Sequence, residues 1–158
     1  MNSVTLRKVV WEEMLYADMR ANYFGELVRT YQQWDRGLRV AVLVASSSAA
    51  ATALSDALPI VKVATPVLAA VGSFWLLLSQ YTTLARDASD LHAGWSAAAK
   101  DYEKVWNQLD DPEAESKFNQ IYEKAEGLSR AGNKFPTKNK RLEYWLDHAS
   151  QLATARYA

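Results

Sequence analysis

The chain has 158 residues, with 18 basic and 18 acidic side chains, and it contains no cysteine. A chain of this length suits one compact unit, and its zero net charge gives no indication of a nucleic-acid partner. Without cysteine, disulfides, thiol catalysis and thiolate metal sites are all excluded. Glycine and proline are scarce and strand-type alternation is absent, so we expect an all-α fold.

The first predicted element is a long helix over residues 4–58. Apolar residues recur in it at spacings of three and four, which mark one face of a helix. They are Val10, Met14, Ala17, Ala21, Phe24, Val28, Tyr31 and Leu38. Gly37 alone only weakens a helix, so we expect no stop there. Residues 1–7 lead into a charged helix instead of an apolar signal-type core, so we expect no cleavable signal peptide.

Two uncharged apolar stretches, residues 40–55 and 63–85, follow one another in the middle of the chain. The connector between them carries the only charges of the region, Asp56 and Lys62. A bilayer core of about 30 Å needs about 20 helical residues. The second stretch has this length, and the first reaches it if Arg39 extends its charge to the headgroups. We therefore predict a membrane hairpin with two transmembrane helices, at about residues 38–58 and 60–84.

The charges around this hairpin predict its orientation. Arg29, Arg36, Arg39 and Arg86 flank its open end, whereas Lys62 lies near its tip. Under the positive-inside rule, this asymmetry places both termini in the cytoplasm. An alternative stays open, because the first stretch is rich in alanine and serine. Such a helix could also be the buried centre of a soluble bundle.

The second helix is predicted to begin after Pro59 and to continue from the apolar stretch to residue 109 without a break. Its apolar residues keep a four-three spacing for more than four heptads, which is typical of a coiled-coil seam. The seam residues are Leu77, Tyr81, Leu84, Ala88, Leu91, Trp95, Ala98, Tyr102, Val105 and Leu109. The hairpin would place this seam antiparallel to the first helix. We expect residues 1–109 to form a long-helix hairpin with a cytoplasmic stalk, residues 4–37 plus 85–109.

Residues 110–158 are predicted to form two short cytoplasmic helices that pack on the stalk. Asp111 suits an N-cap, Pro112 the first helical position, and Glu113 the positive end of the helix dipole. A loop is expected at residues 127–137. The predicted apolar faces comprise Phe118, Ile121, Tyr122, Ala125 and Leu128 on the third helix, and Leu142, Trp145, Leu146, Ala149 and Leu152 on the last.

The first apolar stretch carries small residues at every fourth position, and such ridges let helices approach closely in lipid. The ridge consists of Ala41, Ala45, Ala49, Ala53 and Ala57. Five hydroxyl side chains accompany it, which are Ser46, Ser47, Ser48, Thr52 and Ser55. One hairpin cannot bury all five against a single partner helix. We expect the ridge to mediate packing within a hairpin or between copies, and the hydroxyls to be candidate pore-lining residues of a homo-oligomer.

Catalytic and metal-binding candidates are weak. His92 and His148 have no carboxylate or second histidine at a ligand spacing, because Asp90 and Asp147 lie on other helical faces. The chain has no glycine-rich phosphate loop, no HExxH and no nucleophile elbow. We therefore expect no enzyme, no cofactor and no metal site.

The layout of residues 21–109 resembles the SLATT family, bacterial effectors with two transmembrane helices associated with nucleotide-signal synthases and sensors in phage-defence gene clusters. The resemblance rests on an aromatic helix that enters a serine-rich first span, a short turn, a second span and an aromatic cytoplasmic helix. Its residues are Tyr23, Phe24, Tyr31, the run 44–50 (Val-Ala-Ser-Ser-Ser-Ala-Ala), Tyr81, Leu84, Ala85, Leu91, His92, Trp95, Tyr102 and Trp106. It implies a pore-forming effector of the bacterial inner membrane, released by a sensor or partner protein. Residues after 110 are not covered by it.

Three functions stay open at this stage. The first is a membrane-permeabilising effector held inactive by a partner or signal. The second is a membrane-anchored or soluble helical adaptor that binds another protein. The third is a phage-type hole-forming lysis protein, although a long stalk is unusual for that class.

Overall fold

The computed structural model describes the backbone of residues 3–53 and 59–157, and their side chains except at 3, 49, 50, 52, 53 and 76–79. These residues form five α-helices and no strand, which confirms the all-α class. The helices are α1 (Ser3–Ala53), α2 (Pro59–Ser79), α3 (Tyr81–Asn107), α4 (Ala114–Gly132) and α5 (Asn139–Tyr157). They group into two compact units, the first made of Met1–Leu27 and Asp87–Ala158, and the second of Val28–Arg86.

In the first unit, α1 and α3 pack antiparallel through their apolar stripes. Trp11 contacts Trp106 with ring centroids 5.0 Å apart, and the guanidinium of Arg20 lies 4.6 Å from the Trp95 ring centroid. The stripe residues of both helices in this unit are buried, since each covers the other. They include Val10, Met14, Ala17, Ala21 and Phe24 on α1, and Ala88, Leu91, Trp95, Ala98, Tyr102 and Val105 on α3.

A second face of α1 is also buried, because the chain after α3 packs against it. Met19, Tyr23 and Leu27 are buried although they lie outside the predicted stripe. The Tyr23 hydroxyl donates a 2.5 Å hydrogen bond to the carbonyl of Pro136, and Trp145 Nε1 donates one of 2.8 Å to Glu26. The segments after residue 110 thus complete the core of the first unit.

The third helix begins later than predicted. Its first residue is Ala114, with Glu113 at the N-cap position. Asp111 still acts on this helix end, because its Oδ1 accepts a 2.9 Å hydrogen bond from the Glu113 amide. The Lys117 ammonium, 2.7 Å from Asp111 Oδ2, and the same amide hold the pKa of this carboxyl below its usual value. A turn closed by Asp111 therefore precedes the helix.

The loop predicted at residues 127–137 is shorter than expected. α4 continues through Gly127 to Gly132, because one internal glycine costs a helix only about 1 kcal/mol. The connection to α5 is fixed by Phe135, which is buried and contacts Phe24 edge to face at 5.6 Å. Two residues assigned to inner faces, Tyr122 and Leu152, are exposed.

The prediction of an unbroken helix from the apolar stretch to residue 109 is wrong. α2 ends at Ser79, α3 begins at Tyr81, and Gln80 between them has a φ of 48°. This left-handed conformation costs a residue with a side chain about 1–2 kcal/mol, and glutamine gives no sequence signal for it. The break falls within the second apolar stretch and separates α2 from the seam helix α3.

Candidate functional site

The second unit is a helical hairpin in which α1 and α2 approach closely through small residues. On α2, the half-buried positions Val61, Thr65, Ala69 and Ser73 recur at every fourth residue. A methyl group added at Gly72 would lie 3.2 Å from the Val42 side chain, so glycine permits this approach. The two helices therefore meet along one narrow face each.

Outside this contact face, the hairpin exposes large apolar side chains on both helices. Each of the following is more than half exposed: Val40, Leu43, Val44, Ile60, Val63, Val67, Leu68, Val71, Phe74 and Trp75. Within residues 40–53 and 59–75, Lys62 is the sole charged residue. Monomeric soluble proteins rarely expose so continuous an apolar surface. The surface of this hairpin is therefore the strongest candidate for a functional site.

Three described hydroxyl groups on the hairpin are satisfied by the backbone of their own helix. Ser48 donates to the carbonyl of Val44 at 2.8 Å, and Ser73 does so to that of Ala69 at the same distance. Thr65 donates to the carbonyl of Val61 at 2.9 Å. This back-bonding leaves no free hydroxyl proton at these positions. Such helices can enter an apolar environment without losing a hydrogen bond there.

The open end of the hairpin carries a polar network. Arg39 Nε lies 2.9 Å from Asp35 Oδ2, and Thr82 Oγ1 donates to Asp35 Oδ1 at 3.0 Å. Tyr31 and Tyr81 stack beside it with centroids 6.2 Å apart. Arg39 Nη2 also donates to Thr82 Oγ1 at 3.1 Å, so Arg39 joins α1 to the first turn of α3.

The structure distributes the predicted ridge and pore-lining residues over different faces. Ala45 is half-buried towards the hairpin contact, whereas Ala41 is exposed. Ser46, Ser47 and Ser48 are all exposed, yet consecutive helical residues point about 100° apart, so the three cannot all face one axis. The side chains of Ala49, Thr52 and Ala53, and all of Ser55 and Ala57, lie outside the described residues.

The predicted seam residues lie at different depths. Leu91, Trp95 and Tyr102 are buried in the first unit, whereas Leu84, in the second unit, and Leu109 are half-buried. His92 makes a contact that the sequence did not suggest, because its Nδ1 lies 2.7 Å from the carbonyl oxygen of Ala21. Gly25 provides room for the ring, since a Cβ there would lie 3.2 Å from Nδ1.

The described part of the chain contains neither a membrane span nor a cluster of metal ligands. None of the helices, as far as their residues are described, combines the length and apolar character of a membrane span. The same residues contain no group of three or more histidine, aspartate or glutamate side chains able to hold a metal ion.

Asp18 is a half-buried carboxyl of the first unit whose ionisation opposes folding. Burial raises the pKa of Asp18, although the nearby Arg156 and His148 act in the opposite direction. We expect Asp18→Asn to increase the free energy of unfolding at pH 7, because it removes the desolvation of a charge. The pKa of Asp18 is higher in the folded state than in the unfolded state. The gain in the free energy of unfolding is therefore complete at pH values above the folded-state pKa. It should vanish as the pH falls to the unfolded value of about 3.9.

Urea denaturation of the wild type and Asp18→Asn between neutral and acidic pH checks this expectation. Asp147→Asn, at an exposed aspartate on α5, serves as the control. A loss of stability at pH 7 would contradict the prediction, since it would mean that the Asp18 charge contributes more through Arg156 than it loses through burial.

Comparison of the chain with protein-family models, with curated proteins and with solved structures finds no match.

Proposed function

We propose that this protein is an oligomeric membrane-disrupting effector whose second unit inserts into a lipid bilayer. The observation that carries the proposal is the exposed apolar surface on both helices of the hairpin, with Lys62 as its one charge over residues 40–53 and 59–75. Burying a large apolar side chain is worth about 1.5–3 kcal/mol, so the exposure of ten such side chains strongly favours their burial in another apolar phase or surface.

The length of α2 and the hydrogen bonding of both helices support lipid as the environment that buries this apolar surface. α2 has 21 residues, which at 1.5 Å each gives about 31 Å, close to the thickness of a bilayer core. The backbone of a helix satisfies its own hydrogen bonds, and the described hydroxyls of Ser48, Thr65 and Ser73 do the same. The arginines beside the open end favour both termini in the cytoplasm, with the tip of the hairpin outside.

The effector part of the proposal rests on the small residues and on the SLATT-like layout. Ala41 and Ser46–Ser48 lie on the exposed surface, where a second copy can approach closely. Several copies would then line a wet path through the membrane. A partner protein or small-molecule signal would keep the protein inactive until it is needed, as in the family that the layout resembles.

Membrane potential in cells tests this function. Induced expression of this protein together with its neighbouring genes is expected to depolarise the inner membrane. Replacing Ser46, Ser47 and Ser48 by leucine removes the hydroxyl of whichever of them faces the path. The triple variant should keep membrane insertion but abolish depolarisation, because an apolar path dewets. The matched threonine triple variant keeps the hydroxyls and should still depolarise.

Two outcomes would contradict the proposal. If the wild type never depolarises cells even with its neighbouring genes present, the pore hypothesis is wrong. The protein is then a membrane-anchored adaptor that binds a partner protein. If the leucine variant depolarises as well as the wild type, these serines do not line the path.

A further inference from the structure

Two adjoining cavities lie in the first unit, and neither has a part in the proposed membrane activity. The smaller has a volume of about 140 Å³ and the larger about 350 Å³. Arg20, Trp95 and Ser129 line both of them, so these three side chains lie where the cavities meet.

Arg20 acts on the Glu13 carboxyl in this place only through its charge, which lowers the pKa of Glu13. Its guanidinium lies 4.6 Å from the Trp95 ring centroid, and among the described side chains it forms no ion pair or hydrogen bond. Arginine has five N–H donors arranged to bind carboxylate or phosphate oxygens. Stacking on Trp95 fixes the plane of the group and leaves those donors available.

Trp95, which stacks on this guanidinium, is buried and its own indole donor is out of reach of the cavities. The residue is 2% exposed and its indole Nε1 has no hydrogen-bond acceptor among the described residues. Nearly all buried donors in proteins are paired, because an unpaired one loses its bond to water without replacement. The Tyr102 hydroxyl, fully buried nearby in the same core, is also without a partner.

The walls of the two cavities differ in charge. Among the residues that the structure describes, no carboxylate lines the smaller cavity, whose apolar walls include Phe24, Phe135 and Leu128. The larger one is lined by Glu13 and Glu126, and burial raises the pKa of Glu13 above its ordinary value, although Arg20 acts in the opposite direction. An anion would therefore enter the smaller cavity, where it meets Arg20 and avoids Glu13.

We propose that the smaller cavity binds a small organic anion, with a carboxylate or phosphate group on Arg20 and Ser129 and an apolar body between Phe24 and Phe135. The anionic group supplies the acceptors that the guanidinium lacks. The apolar body fits the aromatic walls, which a hydrated inorganic ion would not use.

Benzoate is a suitable probe for the full chain in detergent micelles. Titration is followed through the indole N–H signal of Trp95 in ¹H–¹⁵N spectra, identified by its loss in Trp95→Phe. We expect benzoate to bind with a Kd of about 1 mM, as a ligand of its size allows. Benzyl alcohol, which lacks the charge, and inorganic phosphate, which lacks the apolar body, should bind more weakly.

Variants that change one charge distinguish an anion-binding site from a cavity that binds any apolar molecule. Arg20→Gln should weaken benzoate binding about tenfold to a hundredfold, and Arg20→Lys should retain more of it. Glu13→Gln should strengthen binding, because it removes a nearby like charge. Arg156→Gln, at an exposed arginine of α5 that is paired with Glu103 and lines neither cavity, should leave binding unchanged.

The proposal is overturned if benzoate does not bind, if benzyl alcohol binds equally well, or if Arg20→Gln binds like the wild type. Equal affinity for phosphate would overturn the organic part and indicate an adventitious ion only. None of these outcomes depends on pore formation, since binding is measured in micelles without a membrane potential.

Discussion

Replacing Leu91 by aspartate is expected to unfold the first unit. The side chain is 4% exposed, in the stripe where α3 packs against α1. Losing a buried leucine costs about 2–5 kcal/mol, and burying an unpaired carboxylate adds several more. Because single domains are stable by only about 5–15 kcal/mol, this change removes most or all of the stability.

Circular dichroism and tryptophan fluorescence during urea denaturation measure the effect. Leu152→Asp is the matched control, because Leu152 is 52% exposed on α5 of the same unit and should change stability by about 0.5 kcal/mol or less. Equal stability of the wild type and Leu91→Asp would mean that the α3 stripe faces solvent.

The double replacement Val67→Asp/Val71→Asp should abolish membrane association of the chain. Both valines are more than half exposed on α2 and lie one helical turn apart. An aspartate near the middle of a span costs about 2.5–3.5 kcal/mol, so two cost about 5–7 kcal/mol. That corresponds to a loss of at least a thousandfold in partitioning.

Flotation with anionic lipid vesicles measures this partitioning. Val4→Asp is the control, since Val4 is 75% exposed but belongs to the first unit. It should float like the wild type. The double variant should stay folded, because it changes exposed positions. If it floats as well as the wild type, the apolar face does not meet lipid, and a protein partner must cover it.

Periodicity predicted the packing of the first unit where one helix stripe faces another. Val10, Met14 and Leu91 are buried as expected, because spacing alone determines which side chains share a helix face. It missed Met19 and Leu27, since a second buried face depends on later segments that return to α1. Sequence periodicity contains no information on that return.

The candidate sites were predictable to different degrees. The apolar hairpin was visible in the sequence because absence of charge over many residues is a direct signal. The cavity at Arg20 and Ser129 was not, because α1 and α4 contribute these residues from positions 109 apart in the chain. Nor did glutamine at position 80 signal a helix end, since its left-handed φ arises from the surroundings and not from its own preference.

The contact between His92 and α1 has a spectroscopic consequence. A carbonyl oxygen only accepts, so the bond to Ala21 places the imidazole proton on Nδ1 and leaves a lone pair on Nε2. Free histidine in water favours the opposite tautomer. In the neutral form of this one ring, the ¹⁵N shifts therefore indicate whether α3 is docked on α1.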